Sequence, residues 1–326
     1  MSQSKRVFSG IQPTGELHLG NYVGALKNWV TMQDEYETIY CVVDLHAMAS
    51  PYDPAELSAA RLETAGMLLA VGIDPERSLL YFQSDVPQHA ELAWILGTMT
   101  GLGQLERMTQ FKEKSDRAGQ NLGLLAYPVL QAADILIHKV HAVPVGDDQA
   151  QHLELTRDLA LRFNSRFGEL FPVPETITPK IGARVMSLTN PVSKMSKSEP
   201  SVKSRILLTD TPDQIVRKVK SAVTDTGTKV SYDRAAKPGI SNLLEILSFF
   251  TGRSIESLVE EYADAGYGGF KSAVGEAIAE GIGPIAAAYA SFSASDVAEL
   301  MARNGAEARE RAEGEMISVR KAVGIG

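Results

Sequence analysis

The sequence predicts an α/β protein with a Rossmann-like parallel sheet, followed by an all-helical region. Residues 7–22 read as a short apolar strand, a turn and the start of a helix. Further short apolar runs then alternate with helical stretches, whereas only helical patterns follow Thr211. We therefore predict a sheet domain over residues 1–209 and a helical domain over residues 210–326.

The first strand–turn–helix unit carries His18, Gly20 and Asn21 at the start of its helix. The first N–H groups of a helix lack intrahelical partners and favour phosphate. Glycine at position 20 lets a flat base approach the backbone, and His18 can donate a hydrogen bond to a phosphoryl oxygen. The residues alone also allow an ordinary helix cap with an incidental histidine.

The next predicted strands are Thr38 to Val43 and Ser78 to Gln83, with a capped helix from Pro54 to about Val71 between them. Ligands of open parallel sheets bind beyond the carboxyl ends of the strands. Because His46 follows the first of these strands, it is a candidate pocket residue.

Two later segments combine apolar runs with carboxylates. Residues 127–136 predict an apolar helix in which Asp134 must cap, pair or accept from a ligand, because burying it alone would be costly. Residues 143–149 predict a strand ending in a polar glycine turn whose carboxylates can bind ribose hydroxyls. A structural ion pair and a capped helix start remain the respective alternatives.

A loop with two lysines, Lys194 and Lys197, is flanked by Pro191 and Pro200. Compact charges on flexible stems suit a loop that closes over a triphosphate in the transition state. The alternative is a basic linker.

Together, His18-Leu19-Gly20-Asn21 and Lys194-Met195-Ser196-Lys197-Ser198 resemble the "HIGH" and "KMSKS" signatures of the class I aminoacyl-tRNA synthetases. The similarity is greatest to the bacterial members specific for tryptophan, and it continues through residues 107–115, 127–136, 143–160, 183–188, 222–226 and 237–244. There are two departures: Asn21 replaces the final His of HIGH, and Gln131 stands where many relatives have Met.

The resemblance implies an enzyme that activates tryptophan with ATP and then charges tRNA(Trp). It implies Mg²⁺ arriving with ATP, no prosthetic group and no protein-bound metal. The implied catalytic residues are His18, Lys194 and Lys197. The implied ATP-binding residues are Gln12, Gly20, Asn21, Lys114, Gly146, Asp148, Met195, Ser196 and Ser198. The implied tryptophan-binding residues are Phe8, His46, Tyr127, Asp134 and Gln149, with Asp134 accepting the indole N–H.

The resemblance also implies a homodimer and an anticodon-recognising helical domain. An apolar stretch containing Leu92, Trp94, Ile95 and Leu96 is the candidate dimer surface. Two rival functions stay open at this point. One is a tyrosyl enzyme, since Gln-x-x-Asp recurs there; the other is a catalytically silent paralogue acting as a binding module.

Charge and composition agree with a cytoplasmic protein that binds RNA. The formal net charge is −8, but residues 180–237 hold 12 Lys and Arg against 5 Asp and Glu, a local balance of +7. One cysteine, Cys41, excludes an internal disulfide, and neither a signal peptide nor an apolar run of membrane-spanning length is evident.

Overall fold

The computed structural model describes residues 5–112, 121–144, 146, 149–177, 184–197 and 199–326. Within them lies a five-stranded sheet in the order β3-β2-β1-β4-β5, parallel throughout. The strands are β1 (Arg6–Ile11), β2 (Glu37–Val42), β3 (Ser78–Phe82), β4 (Ala142–Pro144) and β5 (Glu175–Ile177). The predicted parallel sheet is therefore confirmed.

Strand β1 is the centre of the sheet. It pairs with β2 from Arg6↔Glu37 to Ile11↔Val42, and with β4 at Val7↔Ala142. The chain first builds outward through β2 and β3, then returns to the other side of β1 for β4 and β5. The carboxyl end of β1 therefore lies at the point where strand order reverses, which is the usual ligand position in open α/β sheets.

Helices cover both faces of the sheet. The first, α1, begins at Leu19–Asn21, passes through a π-helical turn at Tyr22–Leu26 and continues as Lys27–Met32. Those that follow before the helical region are α2 (Asp44–Ala47), α3 (Pro54–Ala70), α4 (Gln88–Gly97), α5 (Leu102–Glu106), α6 (Leu122–Leu136) and α7 (Ala150–Phe167). Beyond them lie α8 (Pro212–Lys220), α9 (Pro238–Thr251), α10 (Ile255–Tyr262), α11 (Gly266–Ser291) and α12 (Ala294–Val323).

Alternate residues of β2 point into two different cores. Ile39 and Cys41 pack with apolar residues of α6 and α7, whereas Tyr40 and Val42 pack with α1 and α3. The second core continues into α8, α9 and α11, so the sheet and the helical region share one apolar interior. The division at residue 209 remains a prediction, because the two parts are not separated by a break in this core.

The last helix, α12, runs without a break from Ala294 to Val323, and it crosses the β3 edge of the sheet. Val297 and Met301 lie in the core with α3, whereas Ala308 and Met316 lie in the opposite core. Gly305 allows a close approach, because a Cβ there would lie 2.6 Å from Asp85 Oδ2. Covering β3 in this way protects an exposed sheet edge from pairing with other chains.

The predicted dimer patch needs a correction. Leu92, Ile95 and Leu96 are buried in the core of the chain itself, while Trp94 has 78% of its surface exposed. The apolar face of α4 is therefore covered by other parts of the same chain, and of the four predicted residues only Trp94 remains exposed for contact with a second copy.

In the described residues no helix is both long and apolar enough to cross a membrane.

Candidate active site at the switch point of the sheet

His18 caps the first helix, and its hydrogen bonds show which of its two ring nitrogens carries the proton. Its Nδ1 accepts the N–H of Gly20 at 3.1 Å, and its own backbone N–H donates to Asn21 Oδ1 at 3.1 Å. Burial lowers the pKa of His18 to about 4, aided by the positive charges of Lys197 and Arg205. The neutral ring therefore carries its proton on Nε2 and can donate a hydrogen bond without transferring a proton.

The close packing around His18 explains why glycine stands at position 20. A Cβ at Gly20 would lie 3.0 Å from His18 Cε1 and 3.6 Å from Met195 Cβ. Alanine would press against the imidazole ring, whereas its contact with Met195 would be an ordinary van der Waals contact.

The two signature segments lie side by side, although Lys194 comes 176 positions after His18 in the chain. Leu19 N–H donates to Ile206 O at 2.8 Å, and Leu208 N–H donates to Leu17 O at 3.0 Å. These backbone bonds join the first turn to the strand-like segment that follows the lysine loop. Within the loop, Lys197 Nζ donates to Gly15 O at 2.8 Å.

The two lysines have different surroundings. Lys194 is exposed, and its backbone forms an isolated antiparallel bridge with Met186. Lys197 is partly buried, and burial together with the charge of Arg205 lowers its pKa to about 8. Just beyond the loop, the Glu199 carboxylate accepts from the hydroxyl groups of Ser187 and Thr189 and so holds the end of the loop in place.

The lowered pKa of Lys197 predicts a pH dependence. Lys197 is cationic below about pH 8 and loses its charge as the pH rises through that value. If the charge contacts the triphosphate, kcat/KM for ATP in amino-acid activation should fall above about pH 8. Lys197→Arg should move this fall to higher pH, because a guanidinium keeps its proton. Titration of the substrates affects the pH profiles of both enzymes equally, so a difference between the two profiles reports on residue 197. Identical profiles would contradict the assignment of Lys197 to the triphosphate.

A cavity of about 840 Å³ opens at the carboxyl ends of β1, β2 and β4. It brings together seven of the predicted residues: Phe8, Gln12, His46, Tyr127, Asp134, Gly146 and Gln149. Gln131, the departure from the relatives noted above, also lines it. Sequence reasoning missed the other residues of the lining: Ser9, Gly10, Val43, Thr109, Gln110, Ile135, Val143, Pro144 and Gln151. Several of these lie next to predicted residues, so the strand-end rule applied residue by residue would have found Ser9, Gly10 and Val43.

Asp134 lies at the wall of this cavity and is 1% exposed. Gln83 Nε2 donates to its Oδ1 at 2.8 Å, His46 Nε2 lies 2.8 Å from its Oδ2, and His89 Nδ1 lies 2.8 Å from its Oδ1. Burial alone opposes ionisation, but the contacts with His89 and His46 lower the pKa of Asp134 below its usual range. Asp134 is therefore a buried carboxylate that already has several donors.

A second polar group links several residues of the cavity lining through hydrogen bonds. Tyr127 Oη donates to Gln110 Oε1 at 2.6 Å and lies 3.1 Å from His152 Nε2. His152 Nδ1 in turn lies 2.9 Å from Gln149 Oε1, which also accepts from Gln131 Nε2 at 3.3 Å. No pattern in the sequence points to His152, which is buried and contacts two predicted pocket residues, Tyr127 and Gln149.

The predicted site residues thus fall into two neighbouring groups. The described residues of the first turn and the lysine loop do not line the cavity, whereas the seven predicted residues named above do. Gln12 is one of the seven, and it follows β1 and precedes the turn at Gly15. Lys114, Asp148 and Ser198 lie outside the described residues. Among the described residues, no group of three or more His, Cys, Asp or Glu side chains is placed to hold a metal ion.

A helix start suited to phosphate, a lysine loop beside it and a polar cavity at the switch point are together the features of a nucleotide-dependent enzyme built on a parallel sheet. The model of the family "tRNA synthetases class I (W and Y)" matches residues 2–281. The chain belongs to this family.

Comparison with individual proteins narrows the relationship. The chain is 50% identical over 307 residues to the tryptophan–tRNA ligase of Caldanaerobacter subterraneus subsp. tengcongensis, covering 94% of each chain. It superposes on the tryptophanyl-tRNA synthetase of Mycoplasma pneumoniae with a TM-score of 0.87, at 32% identity and 99% coverage of both chains. The Campylobacter jejuni enzyme, whose structure is complexed with ADP and tryptophan, gives a TM-score of 0.85 at 33% identity, covering 98% of this chain and 99% of that one.

Proposed function

We propose that the chain is a tryptophan–tRNA ligase. It activates L-tryptophan with ATP to tryptophanyl-adenylate, releasing pyrophosphate, and transfers tryptophan to the 3′ end of tRNA(Trp). The observation that carries this proposal is the cavity at the end of β1, in which a buried ionised carboxylate, Asp134, faces a space beside the nucleotide-type helix start. Indole has one N–H donor and no acceptor, so a carboxylate is its natural partner.

The reaction needs no protein nucleophile. The tryptophan carboxylate attacks the α-phosphorus of ATP, and the bond to the β,γ-pyrophosphate breaks. His18 donates its Nε2–H to a phosphoryl oxygen, and Lys194 and Lys197 bind the triphosphate as its charge shifts toward the leaving group. Gln12, Gly20, Asn21, Gly146, Met195 and Ser196 bind the nucleotide, with Lys114, Asp148 and Ser198 completing that set. Mg²⁺ enters with ATP as part of the substrate.

The amino acid occupies the cavity with its ring toward Asp134. Phe8, His46 and Tyr127 surround the ring, and Gln149 contacts the amino-acid backbone. Because Tyr127 and Gln149 are both held by His152, their polar atoms are positioned before the substrate enters.

Amino-acid-dependent exchange of pyrophosphate into ATP tests this proposal. Exchange with tryptophan, none with tyrosine, and charging of tRNA(Trp) would support it. Exchange with tyrosine would assign the chain to the tyrosyl enzymes instead, and no exchange with any amino acid would identify a silent paralogue.

We further propose a homodimer acting in the cytoplasm. Leu161 and Met99 line a shallow cleft between α4 and α7, and Trp94 on α4 and Leu102 on α5 are 78% and 60% exposed. A twofold contact would bury these side chains. Light scattering of the purified protein at micromolar concentration should give the dimer mass, and Trp94→Glu should lower it; a monomer mass for the unaltered protein would refute the dimer.

A further inference from the structure

We propose that Gln83 and His89 are positioning residues that set the specificity of the amino-acid pocket. Neither side chain lines the cavity, yet both contact the Asp134 carboxylate from the protein side. In this arrangement they leave Asp134 a single acceptor position for the substrate. The inference rests on the proposed function, because it takes tryptophan as the occupant of the pocket.

The argument begins with the acceptor capacity of the carboxylate. A carboxylate offers about four lone-pair positions, two on each oxygen. On Oδ1 one position accepts from Gln83 Nε2 at 2.8 Å, and the His89 ring covers the other side of this oxygen, with Nδ1 2.8 Å from Oδ1 as an ion-pair contact outside hydrogen-bond geometry. On Oδ2 His46 Nε2 takes one position at 2.8 Å. One position therefore remains, on Oδ2, the oxygen that is shared with the cavity residue His46.

His89 is itself fixed from its other side. Its Nε2 lies 2.9 Å from Tyr81 Oη, and Tyr81 Oη lies 2.7 Å from His138 Nε2. Tyr81, His89 and His138 are all buried, and Gln83 is completely inaccessible. Because an ionised carboxylate only accepts, the ring nitrogens of His46 and His89 that face Asp134 carry protons. The carboxylate plane is consequently held by a buried chain of side chains and cannot rotate to offer a second acceptor.

One remaining acceptor distinguishes indole from phenol. An indole N–H fills that position and brings no further polar requirement. A phenol hydroxyl could also donate there, but its oxygen would then need a donor of its own. The donors of Gln83 and His46 are already directed at the carboxylate, so the phenol oxygen would need a donor from elsewhere in the cavity, and leaving it unpaired there is costly.

The test compares tryptophan with β-(3-benzothienyl)alanine, in which sulfur replaces the indole N–H and the shape is nearly kept. In pyrophosphate exchange, the unaltered enzyme should prefer tryptophan by about 10- to 100-fold in kcat/KM, the range of one hydrogen bond to a charged group. His89→Leu should raise the KM for tryptophan at least about tenfold and reduce the preference to about threefold or less. The KM for ATP and the kcat should change by no more than about threefold.

Conservative and matched variants separate positioning from loss of structure. His89→Asn keeps a donor near the position of Nδ1 and should restore most of the preference for tryptophan. Gln88→Leu removes a buried polar side chain one residue away, whose Nε2 donates to Glu313 on α12 rather than to Asp134. Gln88→Leu should lower the melting temperature and leave the preference unchanged. If His89→Leu does not fold, Gln83→Met is used instead. It removes the other contact on Oδ1, and the same loss of preference for tryptophan is expected.

The outcomes distinguish the two proposals. If the unaltered protein shows no tryptophan-dependent exchange, the proposed function is wrong. If it exchanges normally but a folded His89→Leu or Gln83→Met variant keeps the full preference over the sulfur analogue, the positioning role is overturned while the function stands.

Discussion

Lys197→Ala should lower the rate of tryptophan activation by about 100-fold while changing tryptophan affinity little. This is the size of effect seen when one contact that stabilises transition-state charge is removed. In the structure Lys197 Nζ donates to Gly15 O at 2.8 Å, beside the helix start at His18. The ammonium has two further N–H donors for the triphosphate, and we expect them to contribute mainly as charge shifts toward the leaving group in the transition state.

Single-turnover formation of the adenylate measures this effect directly, and equilibrium binding of tryptophan gives the comparison. Lys203→Ala is a matched control, because Lys203 is an exposed lysine six residues further along, in the short helical turn Val202–Ser204. A Lys197→Ala rate within about threefold of the unaltered enzyme would remove Lys197 from the triphosphate site.

Asp134→Ala should weaken tryptophan binding by about 1.5–3 kcal/mol, the usual range for a hydrogen bond to a charged group, with little change in ATP binding. It should also destabilise the folded protein, because Gln83, His46 and His89 lose their common acceptor inside the core. Leaving buried donors unpaired costs about 1–3 kcal/mol for each group.

Calorimetric titration with tryptophan and with ATP separates the binding effect from the stability effect, and thermal unfolding measures the latter. Unchanged tryptophan affinity together with a lowered melting temperature would make Asp134 a structural carboxylate, the alternative that the sequence left open. A loss of tryptophan affinity alone, at unchanged melting temperature, would mean that the buried donors find other partners.

The sequence predicts the sheet and much of the cavity because their signals are local. Strands β1 to β3 are short apolar runs, and His46 follows β2, where the fold rule expects ligands. Phe8, which lies inside β1, follows from the family resemblance instead. Asp134 stands out because it is the one carboxylate in an apolar helix. The pairing of the first turn with the lysine loop follows from the family resemblance rather than from any local pattern.

The missed features depend on long-range packing. Gln88 and His89 occur in a polar stretch after the third predicted strand, and Gln83 is the polar last residue of that strand, yet all three are buried because α12 and α6 pack around them. For α4, periodicity indicates an apolar face but cannot say whether a second copy or the same chain covers it. In the structure the same chain covers it, which is why only Trp94 of the predicted dimer patch remains exposed.

The position of α12 across the β3 edge also bears on how the protein is made. Met316 packs into the core beneath the sheet, but it is synthesised more than 200 residues after Tyr81 of β3. A nascent chain on the ribosome must therefore hold β3 as an open edge for most of its elongation, when edge pairing with other chains is a hazard. The uncovered β3 edge is the kind of extended segment that chaperones bind during synthesis. A chain that ended near Thr209 would lack α12 and would expose the β3 edge permanently.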